Sequence, residues 1–268
     1  MNEPDATGTM VELEAALYHA DPALGSTDVR NLLRSPAHYR QAREGAWESE
    51  ALRIGTLAHE CILEPDRWSV RRTLPVVDKR TKAGRQALAD FVEHAGAEGC
   101  HVVTAADRML CEARRHAVFE HRMARVLLEH TELYEQSCFW VEDGVSCKGR
   151  FDGFAPGLIL DLKTTQDASP GAFRQAVPRY GYHTQAAHYR RGAHAATGEL
   201  CDYVIVAVEK AAPFSVAVYT LDDEAISVGQ IRRAFALRQY AKCRESGQWP
   251  GYPEAVQTLS LPYWATKE

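Results

Sequence analysis

The spacing of apolar positions changes along the chain. In "ESEALRIGTLAHECILEP", Leu52, Leu57, Cys61 and Ile62 recur near helical spacing, and Pro65 ends the segment. "STDVRNLLRSPAHYRQAREG" predicts a helix started by Ser26 or Thr27, a break near Ser35-Pro36, and a second helix. "WSVRRTLPVV" predicts a strand. Residues 82–96 and 104–129 predict helices, with Thr104 and Asp107 spaced as a capping box. Strands are then expected over 133–142, 145–154 and 158–165, and helices over 170–177 and 181–197. "DYVIVAVEK" and "FSVAVYTL" predict a strand pair across "AAP", a long helix follows over 222–246, and "LSLPYWATKE" is an aromatic tail. Residues 1–25 read as a partly flexible segment. Strands in the middle with helices on either side predict an α/β or α+β fold, a central mixed β-sheet flanked by helices, in one domain over 26–268.

Composition narrows the function only a little. Of 268 residues, 46% are hydrophobic and 25% charged, as in ordinary globular proteins. No run approaches the roughly 20 apolar residues of a membrane span, so no membrane partner is expected. The acidic start "MNEPDATGTMVELEAALYHA" lacks the form of a secretory signal. The seven cysteines are odd in number and form no C-x-x-C, which argues against a disulfide framework, a zinc site or an iron–sulfur cluster. A reducing cytoplasm is the expected setting. The net charge of −5 does not announce a nucleic-acid binder. Positive charge is nevertheless dense at 71–72, 78–85, 114–115 and 190–191, and one basic groove on an acidic protein can hold DNA. The bland reading of each cluster is a solvated helix face.

The chemistry is concentrated in "GRFDGFAPGLILDLKTT", Gly149 to Thr165. Two apolar strands meet at Pro156-Gly157. Pairing symmetric about that turn sets Asp152 directly opposite Asp161, where like charges repel unless something neutralises them. A hard divalent cation would. Lys163 shares a face with Asp161, and Lys148 and Arg150 share one with Asp152, by the two-residue period of a strand. A carboxylate pair ringed by cations suits a metal and a phosphodiester. The competing reading is a solvated Asp-x-Lys on an edge strand, with Asp152-Gly153 as turn chemistry. His59 lies on an otherwise apolar helix, where a satisfied core histidine is the commoner case. Gln185 and Tyr189 lie four apart on one helical face, a spacing that packing alone can explain.

In order, "GTLAHECILEP", "YEQSCFWVEDGVSCKGRFDGF", "LILDLKTT" and "YGYHTQAAHYRRG" resemble the PD-(D/E)xK nucleases of the RecB-like and RecE-like branch, in particular the exodeoxyribonuclease VIII type. "STDVRNLLRSPAHYR", "VIVAVEKAAPFSVAVYTL" and "LSLPYWA" extend the resemblance to roughly residues 26–265. It implies a restriction-endonuclease-like core and a metal-dependent exonuclease acting on DNA ends. By position, Asp152, Asp161 and the Leu162 carbonyl would hold Mg²⁺, with Mn²⁺ as a possible substitute, and His59 would approach the metal. Lys163 would orient water and stabilise phosphate charge. Glu135 matches the acid of the preceding strand, with Glu132 and Glu142 nearby. Gln185 and Tyr189 match a Q-x-x-x-Y signature that supports the site or touches DNA. The family's "PD" is Phe151-Asp152 here. Arg150 and Lys148 are expected to position the DNA backbone. The resemblance also suggests a homo-oligomeric ring and, in a phage-type recombination setting, a single-strand annealing protein as partner. Two other readings compete with it: a non-catalytic DNA-binding scaffold on this fold, or an endonuclease with a recognition insert in 66–131.

Overall fold

The computed structural model describes residues 7–45 and 50–261. Before the central strands come β1 (Gly8–Val11), α1 (Ala15–Ala20), α2 (Ser26–Arg34), α3 (Pro36–Glu44), α4 (Glu50–Leu63) and α5 (Pro65–Val70). They are followed by β2 (Arg72–Thr73), α6 (Lys82–Ala97), β3 (Val102–Val103), α7 (Ala105–Glu120) and α8 (Arg122–His130). The strands β4 (Leu133–Glu142), β5 (Val145–Ala155) and β6 (Leu158–Thr165) lead to α9 (Pro170–Tyr180) and α10 (Tyr182–Thr197). β7 (Asp202–Glu209), β8 (Val216–Thr220) and α11 (Asp223–Ser246) complete the described elements.

The main sheet runs β1-β4-β5-β6-β7-β8. All neighbours are antiparallel except β6 and β7, so the sheet is mixed. β6 and β7 are buried on both faces, which is why they read as continuous apolar runs. Ile159, Tyr203, Ile205 and Ala207 enter a core with α2, α10 and α11 through Val29, Leu32, Ala186, Ala193 and Leu237. Leu160, Leu162, Val206 and Val208 enter the opposite core with Ile62 and Leu63 of α4, Val118 of α7 and Leu128 of α8. α4 and α10 therefore approach the same strands from opposite sides.

Three expectations change. Residues 7–25 are not loose: β1 pairs with β4, and Leu24 bridges to Cys147. "WSVRRTLPVV" is not one strand: its first three residues end α5, because Pro65 sits at the first position of that helix, where its missing N–H costs nothing, and only Arg72–Thr73 forms a strand. The helix expected over 104–129 is two helices, since His121 takes extended backbone angles and its ring accepts the Ala124 N–H as a cap. The last seven residues of the aromatic tail lie outside the described residues, as do 1–6 of the opening segment. Among the described residues no helix is long and apolar enough to cross a membrane.

Candidate active site

The hairpin register is the expected one: Ala155 faces Leu158, Phe154 faces Ile159 and Gly153 faces Leu160. Gly157 turns the chain with φ +77°, which favours glycine. The ladder stops there. Asp152 and Asp161 stand next in register, yet they do not form the directly opposed pair. Instead the Leu162 N–H donates to Asp152 Oδ2 at 2.7 Å. Across the other edge of β5, Glu135 lies between the pairs Tyr134–Gly153 and Gln136–Phe151, with φ +50°. That backbone disturbs strand alternation. Tyr134 packs on the α4 side, while Cys138 and Trp140 belong to the α10 side. Phe151 and Phe154, three residues apart, enter one core with rings 5.9 Å apart. The left-handed conformation in a non-glycine residue whose carboxylate stands beside that of Asp152 marks strain at a site.

The two aspartates take partners from opposite faces of the sheet. On the α4 side, His59 Nδ1 lies 3.6 Å from Asp152 Oδ2. His59 Nε2 lies 2.8 Å from the Leu162 carbonyl, which can only accept, so Nε2 carries the proton. Burial first, then Lys163, hold the His59 pKa below its usual value, which favours a neutral ring with a lone pair on Nδ1. On the α10 side, Lys163 Nζ lies 2.5 Å from Asp161 Oδ2, and Gln185 Nε2 donates to Asp161 Oδ1 at 3.0 Å. Burial opposes the Lys163 charge, but Asp161 and Asp152 outweigh it and raise its pKa.

The donor atoms of His59, Glu135 and Asp152 all lie within 4.8 Å of one another. Burial and the Asp161 charge push the Asp152 carboxyl up to about 7, and burial and Asp152 raise Glu135. Crowded carboxylates of raised pKa, with an imidazole lone pair aimed among them, suit a small divalent cation that accepts oxygen and nitrogen donors. Asp161 is not one of the three; its carboxylate is engaged by Lys163 and Gln185. Glu135, rather than Glu132 or Glu142, is the acid of this strand at the site. Glu142 pairs with Arg191 and Arg233 instead.

Two expected backbone-binding cations have other work. Lys148 is 4% exposed, and its ammonium donates to the carbonyls of Tyr18 and Asp21 at 2.6 and 2.8 Å. It fastens α1 to β5 and is not offered to a substrate. Arg150 donates to Glu135 Oε2 at 2.7 Å, to Ser137 Oγ at 2.9 Å and to the Leu13 carbonyl at 2.7 Å. It orients the acid. Tyr189 is 7% exposed, with its ring 5.2 Å from that of Phe151. A Cβ on Gly149 would come within 3.2 Å of the Tyr189 ring, so that glycine admits the close approach. Tyr189 supports the site from below rather than meeting solvent. Tyr203 and Tyr182 escaped the sequence reading. Burial and Asp161 raise the Tyr203 phenol well above its usual range, and Lys163 Nζ sits 5.3 Å from the centre of the Tyr182 ring. Tyr182 was legible in principle, three residues before Gln185 on the same helical face.

A mixed sheet that parts at one pair, with carboxylates and a lysine in the opening, places the chain in the PD-(D/E)xK class of folds. Residues 25–262 match the family described as a PDDEXK-like domain of unknown function (DUF3799), and the chain belongs to that family. Among solved structures the chain is similar to the "Putative exonuclease" of Eubacterium rectale, at 14% identity and TM-score 0.55 over 95% of this chain and 98% of that one. A phage related exonuclease from Haemophilus somnus 129PT aligns at 12% identity and TM-score 0.35 over 87% and 100% of the two chains. An alkaline exonuclease from Laribacter hongkongensis aligns at 14% identity and TM-score 0.29 over 71% and 95%. No curated protein matches the sequence. The likeness to the Eubacterium protein is one of fold.

Proposed function

We propose that the chain is a divalent-metal-dependent deoxyribonuclease that degrades DNA from its ends. The observation that carries this reading is the meeting of His59, Glu135 and Asp152 beside the Asp161–Lys163 pair. His59, Glu135 and Asp152 would hold the cation, Mg²⁺ or in its place Mn²⁺, with Asp161 and the Leu162 carbonyl beside them. When bound, such a cation neutralises phosphate charge and makes water acidic enough to attack near neutral pH. The remaining work belongs to side chains. Lys163 carries a fixed positive charge to the place where a phosphate oxygen gains negative charge. Asp161 holds that ammonium, and Gln185 holds Asp161 in turn. Arg150 keeps Glu135 aimed inward, and His59 keeps the Leu162 carbonyl in place.

End preference rests on the resemblance and on the name of the Eubacterium rectale protein. A homo-oligomeric ring around DNA, and a single-strand annealing protein as partner in phage-type recombination, belong to the same proposal. The test uses linear duplex, linear single-stranded and closed circular DNA, each with Mg²⁺, Mn²⁺ or EDTA, beside Asp161→Ala. Metal-dependent loss of linear DNA alone, absent in the variant, is expected. Binding without cleavage in either metal would favour the scaffold reading, and nicking of the circle would favour an endonuclease.

A further inference from the structure

Four aromatic rings follow one another from half-buried Tyr219 through buried Phe173 and half-buried Tyr182 to exposed Tyr180 at the edge of the site, the first two pairs stacked and the last tilted. Tyr219 and Phe173 lie 4.8 Å apart at 13°, Phe173 and Tyr182 5.8 Å apart at 27°, and Tyr182 and Tyr180 5.7 Å apart at 33°. Phe173 is 2% exposed, whereas Tyr180, at the far end, is 46% exposed. The stack passes beside the reactive groups, because Tyr182 carries the Lys163 ammonium over its ring. Two arginines stand at its outer end. The Arg179 guanidinium lies over the Tyr180 ring, 5.5 Å from its centre. Exposed Arg30 packs over Gly181, between the two tyrosines, its Cγ and Cδ 3.9 Å from where a Cβ would stand.

A core does not need its aromatic stack to continue into water. An outermost ring beside cations instead offers what an unpaired nucleobase binds: a π-face for the base and charge for the adjoining phosphates. A paired base already has neighbours on both faces and cannot take this place without leaving the duplex. We propose that Tyr180, backed by Tyr182, stacks on an unpaired base of the DNA strand whose phosphate lies at Lys163, with Arg30 and Arg179 holding adjacent phosphates. This inference rests on the nuclease reading for its ligand, yet it concerns a different surface. It makes the enzyme a reader of frayed or single-stranded ends, since the site engages a strand only after one base is unstacked.

The experiment uses a thymidine dodecamer carrying one 5-iododeoxyuridine, irradiated with the Asp161→Asn chain in Mg²⁺ and, separately, with the wild-type chain in EDTA. Crosslinks are mapped by peptide mass spectrometry. A crosslink to Tyr180 or Tyr182 is expected. In parallel, dodecamers with and without one abasic position are titrated against Tyr180→Ala and Tyr180→Phe in the Asp161→Asn background. Tyr180→Ala should weaken binding about tenfold, Tyr180→Phe should restore it, and the abasic strand should lose nothing further with Tyr180→Ala. Crosslinks only elsewhere, or an equal abasic penalty with Tyr180→Ala and with tyrosine, would overturn the inference. A chain that crosslinks here but never cleaves DNA would retain the stacking site and lose the nuclease reading. A chain that cleaves without such crosslinks would do the reverse.

Discussion

Asp152 takes the Leu162 backbone N–H at 2.7 Å, at the point where the hairpin ladder has just ended. Hydrogen-bonded pairs alternate along an antiparallel ladder, so after Ala155–Leu158 and Gly153–Leu160 the next would be Phe151–Leu162. A carboxylate on one side, and the His59 ring on the Leu162 carbonyl, replace that pair. The backbone stays satisfied while the strands part, which opens room between two central strands for chemistry.

Asp152 should make the chain less stable at high pH when divalent metal is withheld. Its folded carboxyl titrates near 7 against an ordinary 3.8, because it is buried and faces Asp161. Between those values the folded chain holds a proton that the unfolded chain has lost. Stability therefore falls as pH rises from the lower to the higher value, by at most about 4 kcal/mol. In EDTA at pH 8, Asp152→Asn should unfold at higher urea than wild type, and the gap should close toward pH 4. Mg²⁺ should raise the wild-type midpoint far more than the variant's. A variant less stable than wild type at pH 8 would contradict this.

His188 acts with the opposite slope. Burial and Arg233 push its ring down to about 3, and its Nε2 bonds the Lys148 carbonyl. The unfolded chain binds a proton near 6.5 that the folded chain refuses, so this contribution to stability is present above 6.5 and is lost as pH falls toward 3. Lowering pH from 7 to 5 should reduce the urea midpoint of the wild type more than that of His188→Gln. Equal reductions would remove His188 as the cause.

Lys163 separates stability from catalysis. Lys163→Ala should cut the initial rate on linear duplex by about 10²-fold or more. It should also lower the urea midpoint, because Asp161 is left buried without its cation. Adding Asp161→Asn should restore most of the midpoint and none of the rate. Recovery of both would reduce the lysine to a structural counter-ion.

Arg150 distinguishes orientation of the acid from contact with DNA. Arg150→Ala should weaken Mg²⁺ binding about tenfold by calorimetry, because Glu135 loses the group that aims it. The slope of DNA affinity against salt should stay unchanged. A slope shallower by about one would mean that the guanidinium meets a phosphate.

The central strands, their turn and α10 were legible because each burial pattern is local. Continuous apolar runs mark β6 and β7, and Gly157 ends one strand at a fixed place. The capping of α7 by Thr104 was equally local: its Oγ accepts the Asp107 N–H at 3.0 Å. "WSVRRTLPVV" misled because a β-rich composition was overruled at its start by Pro65 three residues earlier. The roles of Lys148 and Arg150 misled because strand period says which side a group leaves from, and not what stands there. α1 and Glu135 stand there.

By itself the sequence determined the family, the order of the central strands and the helices that follow them, and the acids, histidine and lysine worth naming, since these depend on spacing along one chain. Only the tertiary structure decided how they divide. His59 and Glu135 join Asp152, whereas Lys163 and Gln185 take Asp161. That division follows from α4 and α10 packing on opposite faces of one sheet, and from a left-handed Glu135 that breaks the alternation between them. Both are long-range facts, fixed by which surfaces the cores bury against each other, and no local period encodes them.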